Sequence, residues 1–324
     1  MIVVLLKHRF LGDAIVATPL LSALDECYPG SEKVVVTGAG AAQLLQNHPA
    51  VDRLLTYGSG TAERSRAGSR RLLQAAWQRA GELRQNRPKQ AFVVDRSLRA
   101  ALVAWRMGAQ DRIGFNTEGR GLLLTRRIPY QEERPETECA LDLLRAVLPG
   151  SYDSCPRLYL TQQERQQGAG ILPPGAGPLI GLQPGASHDY KQWPLEYLAA
   201  LAERLVHTHN ARLVLFGGPE ERPAAEALQA RLPLPVAADL TGKTGLRETM
   251  GALANLDLFF GNDTGVNHIA AALGTATVAL FGPTPAQKWS WRGERNRSLI
   301  APDGAMANIP PERAYQSVAE LLSS

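Results

Sequence analysis

The residues with the clearest chemical use are Asp263, Thr264, Gly265 and His268, inside the stretch Gly261–Pro283. An apolar run, 256–260, precedes them and a small apolar run, 269–273, follows. A strand, a polar turn and a buried helix fit that order, with the turn at the carboxyl end of the strand, where open α/β sheets bind ligands. Gly265 lets backbone come close to a ligand, and the first N–H groups of the helix lack partners, so the turn suits an anion. Thr264 adds a hydroxyl donor. Asp263 would repel a phosphate, so it either caps the helix or accepts hydroxyls from a sugar. His268, three residues past Gly265, falls on the loop side of the first turn. An ordinary capped helix explains Asp263 and Thr264 taken alone. A buried helix with a polar residue at each turn of its start is harder to explain by packing.

Other polar, glycine-containing loops share this character. Gly185–Lys191, Gly217–Glu221 and Leu240–Thr244 each follow or border an apolar run. Four such loops from one sheet edge describe a nucleotide-sized cleft. Lys191 offers a point charge to a diphosphate and Ser187 a hydroxyl donor. A glutamate, Glu220 or its neighbour Glu221, can accept ribose hydroxyls. Gly242-Lys243-Thr244 is not a P-loop, because Ala237 stands where the upstream glycine is required. Near the start of the chain, Asp13 follows Gly12 where a first strand gives way to a helix. It is either a helix N-cap or a carboxylate that takes a proton from an attacking hydroxyl. Gly38-Ala39-Gly40 invites a dinucleotide reading that fails, since Gln43 replaces the third glycine.

Strand-length apolar runs alternate with helical patterns throughout. In the first half the runs are 2–6, 34–37, 53–56, 91–95 and 112–115, and in the second half they include 179–183, 212–216, 256–260 and 277–281. That alternation predicts a parallel α/β sheet in each half. Pro19 starts late or bends the helical pattern over 14–28. The Pro/Gly-rich run at residues 173–178 marks the boundary, giving domains 1–172 and 173–324. The segment 62–85 is a basic amphipathic helix, a solvated cover for the sheet or a contact for a membrane surface. The loop 116–127, with Arg120, Arg126 and Arg127, is expected to be mobile and cationic.

The 324 residues suit two domains, and 44% hydrophobic with 20% charged residues is the composition of a globular protein. No apolar run approaches the roughly 18–20 residues of a membrane span. Residues 1–6 read as a strand rather than a signal peptide, and the three scattered cysteines point to a reducing, cytoplasmic setting without disulfides or zinc. Residues 1–150 carry 21 Lys and Arg against 15 Asp and Glu, whereas residues 151–324 carry 14 against 16. The basic half faces either solvent or an acidic partner. Nucleic acid is a poor fit, since Trp77 is the lone aromatic residue within 62–90.

Taken together, Gly12-Asp13 with Thr18-Pro19, Lys191 with Trp193-Pro194, the Thr-Gly-Lys-Thr segment 241–244, Asp263-Thr264-Gly265 with His268, and Phe281-Gly282-Pro283-Thr284 resemble the lipopolysaccharide heptosyltransferases of glycosyltransferase family 9. The resemblance spans nearly the whole chain, with the motifs in matching order. It implies a GT-B fold, two Rossmann-like parallel-sheet domains facing across a cleft, with the acceptor on the first and the nucleotide sugar on the second. It also implies inverting, metal-independent transfer of heptose from ADP-heptose to the lipopolysaccharide inner core, with no cofactor. Asp13 matches the base, and Lys191 with Ser187 the diphosphate contacts. Thr244 matches the adenine contact and Glu220 the ribose contact, while Asp263, Thr264, Gly265 and His268 match the sugar and phosphate loop. The acceptor would be an anionic glycolipid, met by the basic half, with Arg64 and Arg120 as candidates, at the inner face of the inner membrane. Departures fall at Asn267 and at 7–11, where the family usually has small serines. A family member using another sugar or acceptor, or a non-catalytic nucleotide-sugar binder, would share the donor motifs but only an enzyme needs Asp13.

Overall fold

The computed structural model describes residues 1–7, 11–57, 66–291 and 293–323, with the side chains of all these but 66–73. Arg64 lies outside the described residues. Contacts divide the chain into two compact units, Met1–Tyr159 and Leu160–Ser324.

In the first unit the strands are β1 (Ile2–Leu5), β2 (Lys33–Thr37), β3 (Arg53–Thr56), β4 (Gln90–Val93), β5 (Asp111–Phe115) and β6 (Arg126–Ile128). They form a parallel sheet in the order β3-β2-β1-β4-β5-β6. The second unit repeats the order with β7 (Leu179–Gln183), β8 (Arg212–Leu215), β9 (Ala238–Asp239), β10 (Leu258–Asn262), β11 (Ala276–Phe281) and β12 (Asn296–Ile300), arranged β9-β8-β7-β10-β11-β12. Each is the doubly wound order in which the chain reverses direction beside the first strand, so loops after β1 and β4, and after β7 and β10, splay apart and leave a crevice. Helices cover both faces. Ile-Val-Val-Leu, Lys-Val-Val-Val-Thr and Ala-Thr-Val-Ala-Leu-Phe are buried along their full length, which is why these strands are apolar without alternation. The core of unit 1 joins Val4, Leu20, Leu24 and Phe92 to the helix Glu136–Arg145, and that of unit 2 centres on Trp193 and Phe260.

Two expectations need correction, and a third holds. The boundary falls earlier than residue 172, because a helix over Gln162–Gly170, absent from the sequence reading, packs on the helix Leu246–Leu253 of unit 2. Its Thr161–Glu164 capping box starts it, and Arg247 donates to both Glu164 oxygens at 2.8 and 2.7 Å. The helices touch through glycine: a Cβ on Gly168 would lie 2.0 Å from the Gly251 carbonyl carbon. Gly168→Ala is therefore expected to cost about 3 kcal/mol and lower melting by roughly 10 °C, read by thermal unfolding. An unchanged melting point would mean the two helices are not packed this way. The expected late start at Pro19 holds: the run over 14–28 breaks between the helices Leu11–Ile15 and Thr18–Cys27, with Pro19 in the first turn of the second, where its missing N–H costs nothing.

The other correction concerns 116–127, which holds a tight helical turn, Arg120–Leu123, and β6. Arg120 is fully buried. Its Nε donates to the Phe115 carbonyl at 2.7 Å, and its Nη1 to the carbonyls of Asp95 and Ser97. Burial pushes this guanidinium down to about 10, against the pull of nearby Asp95. Arg120 thus ties the carboxyl ends of β4 and β5 together and is not exposed as an acceptor contact. A strand end whose carbonyls lack sheet partners needs donors, and a planar guanidinium supplies several at once.

Candidate active site

In unit 2, the strands β10, β7, β8 and β9 are neighbours, and the four polar loops follow their carboxyl ends. The β10 strand runs to Asn262, so Gly261 and Asn262 belong to the strand rather than to the turn. Asn262 is buried; its Oδ1 accepts the Trp193 N–H and its Nδ2 donates to the Gly185 carbonyl, each at 3.0 Å. It thereby holds the loop that carries Lys191. Thr264 is the N-cap of the helix Gly265–Ala272, yet its hydroxyl donates to Gln183 Oε1 and not to the helix. The first N–H groups of this helix are left without a side-chain cap and can take an anion. Gln183 Nε2 donates to Glu221 Oε1 at 2.8 Å, and Glu221 Oε2 accepts the Gly218 N–H at 2.7 Å. The loops after β10, β7 and β8 are linked in this way. The loop after β9 joins through Gly242, whose N–H donates to the Gly217 carbonyl at 2.9 Å. Gly242 has a φ of +64°, and a Cβ there would lie 2.8 Å from Pro219 Cα, so this turn requires glycine.

Asp263 sits between two groups. Its Oδ2 is 3.8 Å from Lys191 Nζ and its Oδ1 is 3.3 Å from His268 Nε2. Burial pushes its carboxyl up, but the His268 N–H and the Lys191 charge outweigh that and hold it below the usual carboxylate value. Asp263 is therefore an anion that accepts, not a helix cap. Glu221 is spent on the loop network, where burial raises its carboxyl, while Glu220 is exposed and open to a sugar hydroxyl. Ser187 is exposed with its hydroxyl 3.1 Å from His188 Nδ1, and the half-buried Thr244 shares a hydrogen bond of 2.7 Å with Thr249. The structure thus gathers Lys191, Asp263, Thr264, Gly265 and His268, and places Glu220 and Thr244 on adjoining loops.

In unit 1, Asp13 lies in the helix Leu11–Ile15 after β1. Its carboxylate is buried and accepts from Lys7 Nζ at 2.8 Å. The Lys7 carbonyl is held by the Thr37 hydroxyl at 3.2 Å and the Leu6 carbonyl by the Tyr57 hydroxyl at 3.3 Å, so the ends of β2 and β3 fix this turn. Burial raises the Asp13 carboxyl above its usual value; Lys7 offsets part of that, and Glu136 adds to the rise. Glu136, nearly buried, accepts the Tyr130 hydroxyl at 2.6 Å and lies 3.5 Å from Arg96, whose guanidinium stacks 4.0 Å above the Tyr130 ring. Arg96 follows β4, on the other side of the strand-order reversal.

Sequence reasoning missed several of these residues. Gln183 and Asn262 each close a buried apolar strand, a position where a polar side chain is conspicuous. Lys7 stands directly past β1. Glu136 and Tyr130 carry no local signal, since only the fold brings them to their partners.

The profile of glycosyltransferase family 9 (heptosyltransferase) matches residues 77–318. The chain is 29% identical to lipooligosaccharide heptosyltransferase 2 of Haemophilus influenzae, covering 99% of both chains. It is also 29% identical to lipopolysaccharide heptosyltransferase 2 of Escherichia coli, over 87% of this chain and 83% of that one. The solved E. coli ADP-heptose lps heptosyltransferase II superposes with a TM-score of 0.81 at 25% identity, covering 100% of this chain and 99% of that one. A family 9 glycosyl transferase from Veillonella parvula shares the fold with a TM-score of 0.85 at 21% identity, over 99% and 97% of the chains.

Proposed function

The chain belongs to glycosyltransferase family 9, is a GT-B glycosyltransferase, and on that premise we propose that it moves heptose from ADP-heptose to the inner core of lipopolysaccharide. The observation that carries this reading is the set of four strand-end loops beside β10, β7, β8 and β9, with Lys191 and an uncapped helix N-terminus at its centre. Those two groups meet the negative charge that develops on the leaving ADP, with no metal required. Asp263 cannot face the diphosphate directly, so it accepts sugar hydroxyls while aligning Lys191. Glu220 takes the ribose hydroxyls and Thr244 lines the adenine side, with Ser187 adding a donor to the phosphates.

In the proposed reaction the acceptor hydroxyl attacks the anomeric carbon from the face opposite ADP. The new C–O bond forms as the bond to the β-phosphate oxygen breaks, which inverts the configuration. Asp13 takes the hydroxyl proton. Lys7 and Arg96, which border it, are cations that an anionic acceptor meets. Among the described residues no helix is long and apolar enough to cross a membrane, so any contact with the inner membrane is peripheral in this reading.

Melting of the protein with ADP, UDP, GDP and ADP-heptose, each with and without EDTA, tests the donor. A ligand at 100 times its Kd adds about 2.7 kcal/mol, enough to raise melting by several degrees. Selective stabilisation by the two adenine compounds, unchanged by EDTA, is the expected result. Preference for UDP or GDP would overturn the donor assignment, and loss of the shift in EDTA would overturn metal independence.

A pH dependence follows from the environment of Asp13. The base works as the carboxylate, so its raised value puts the acid limb of kcat/KM higher than an ordinary aspartate would set it. Lys7 favours the charged form, so Lys7→Met is expected to move that limb to higher pH. A limb that stays in place, or moves down, would mean Lys7 does not act on the base.

A further inference from the structure

His268 has no ring nitrogen left for a ligand. Its Nδ1 receives the indole N–H of Trp291 at 2.6 Å, and its Nε2 faces Asp263 Oδ1 at 3.3 Å. An indole nitrogen only donates, so Nδ1 must be the unprotonated nitrogen and Nε2 must carry the hydrogen that points at Asp263. The bonds form one relay, Trp291 to His268 to Asp263, with Lys191 at its far end 3.8 Å from the carboxylate. Each inner member is buried: His268 and Asp263 expose 7% and 9% of their side chains. Trp289 also touches the imidazole, with ring centroids 6.2 Å apart, but the bond to Nδ1 comes from Trp291, at 5.7 Å between centroids.

We propose that Trp291 is a positioning residue of the donor site: its indole N–H fixes His268 in the Nε2–H tautomer, and the ring then aims the Asp263 carboxylate at Lys191. Without that donor, Nδ1 would compete with Nε2 for the proton. Whenever the proton sat on Nδ1, a lone pair on Nε2 would face the Asp263 carboxylate, two acceptors in contact. Trp291 therefore holds the ring in the Nε2–H tautomer. The relay rests on the donor-site reading for its purpose, though its geometry stands apart from it.

Nitrogen-15 spectra of the histidine rings test the relay on the full chain, with the His268 signals identified by their loss in His268→Gln. Wild-type His268 is expected to show Nε2–H with an unprotonated Nδ1. Trp291→Phe keeps the ring and removes the donor; it is expected to yield a mixture of tautomers and to weaken ADP binding about fivefold, the effect of one lost hydrogen bond. Trp289→Phe, which removes an indole not bonded to Nδ1, is expected to leave the tautomer as it is. A wild-type Nδ1–H signal would overturn the proposal even if Trp291→Phe failed to fold. So would an unchanged tautomer in Trp291→Phe, and a changed tautomer with unchanged ADP affinity would overturn the positioning role. A wild-type chain that bound no ADP would instead sink the donor-site reading, and the spectra would still decide the relay.

Discussion

Asp13→Asn is expected to abolish heptose transfer, by about 10³-fold or more in kcat, while ADP affinity stays within about threefold of the wild type. The amide keeps the shape of the carboxylate and loses the ability to take a proton. ADP binding is unaffected in this reading because every residue proposed to hold it stands on the other compact unit. Stability separates lost chemistry from lost fold. The folded Asp13 carboxyl is raised above its unfolded value, mainly by burial. Such a group opposes folding once the pH passes the unfolded value, and the opposition is complete above the folded one. A neutral amide removes that penalty, so Asp13→Asn should melt no lower than the wild type at pH 7. Equal rates for the two proteins would remove Asp13 from the role of base, and a large drop in melting point would leave the lost rate without a chemical meaning.

The sheets were legible because parallel strands buried on both faces must be continuous apolar runs, and runs such as Ile2–Leu5 and Ala276–Phe281 have no other use. The short edge strand Ala238–Asp239 and the polar helix Gln162–Gly170 were not legible. The first is held by pairing with β8, and the second by a glycine contact and the Arg247–Glu164 pair, all tertiary. The Pro/Gly-rich run at 173–178 marked a real irregular connection, but the change of unit comes before that helix.

At the site, polar residues at the carboxyl ends of strands could be read directly, since a loop there has one place to go. Asp13, Lys191 and the 263–268 block are of this kind. What could not be read is which atom bonds which. Local spacing left Asp263 as a helix cap or an acceptor of sugar hydroxyls; the structure puts Thr264 at the cap with its hydroxyl on Gln183, and gives the carboxylate to His268 and Lys191. Arg120 shows the opposite failure. An arginine in a glycine-containing loop reads as exposed, yet carbonyls at two strand ends draw it inside. Positive charge in a sequence is therefore weak evidence of a ligand by itself, because backbone carbonyls compete for guanidinium groups.

Lys191→Met is expected to lower kcat by about 10²–10³-fold, the usual cost of removing one preorganised group that stabilises developing charge. In the proposed reaction the lysine has two neighbours with claims on it, Asp263 and the leaving diphosphate. In the unliganded chain its ammonium is 3.8 Å from Asp263 and about a quarter of its side chain is exposed. A pair of that kind contributes under about 1 kcal/mol to folding. The Asp263 carboxyl is held low partly by Lys191, so the pair stabilises the fold at neutral pH and that contribution is lost as the pH falls through the folded value. Lys191→Met should therefore melt slightly below the wild type at pH 7, with the gap closing in acid, the reverse of the sign expected for Asp13→Asn. In the proposed reaction the large effect belongs to the transition state, where the phosphate oxygen gains charge that a nearby cation meets. Steady-state kinetics divide the cases: a raised KM with kcat unchanged would mean Lys191 binds donor and transition state alike, and the helix N-terminus would then carry the leaving group by itself.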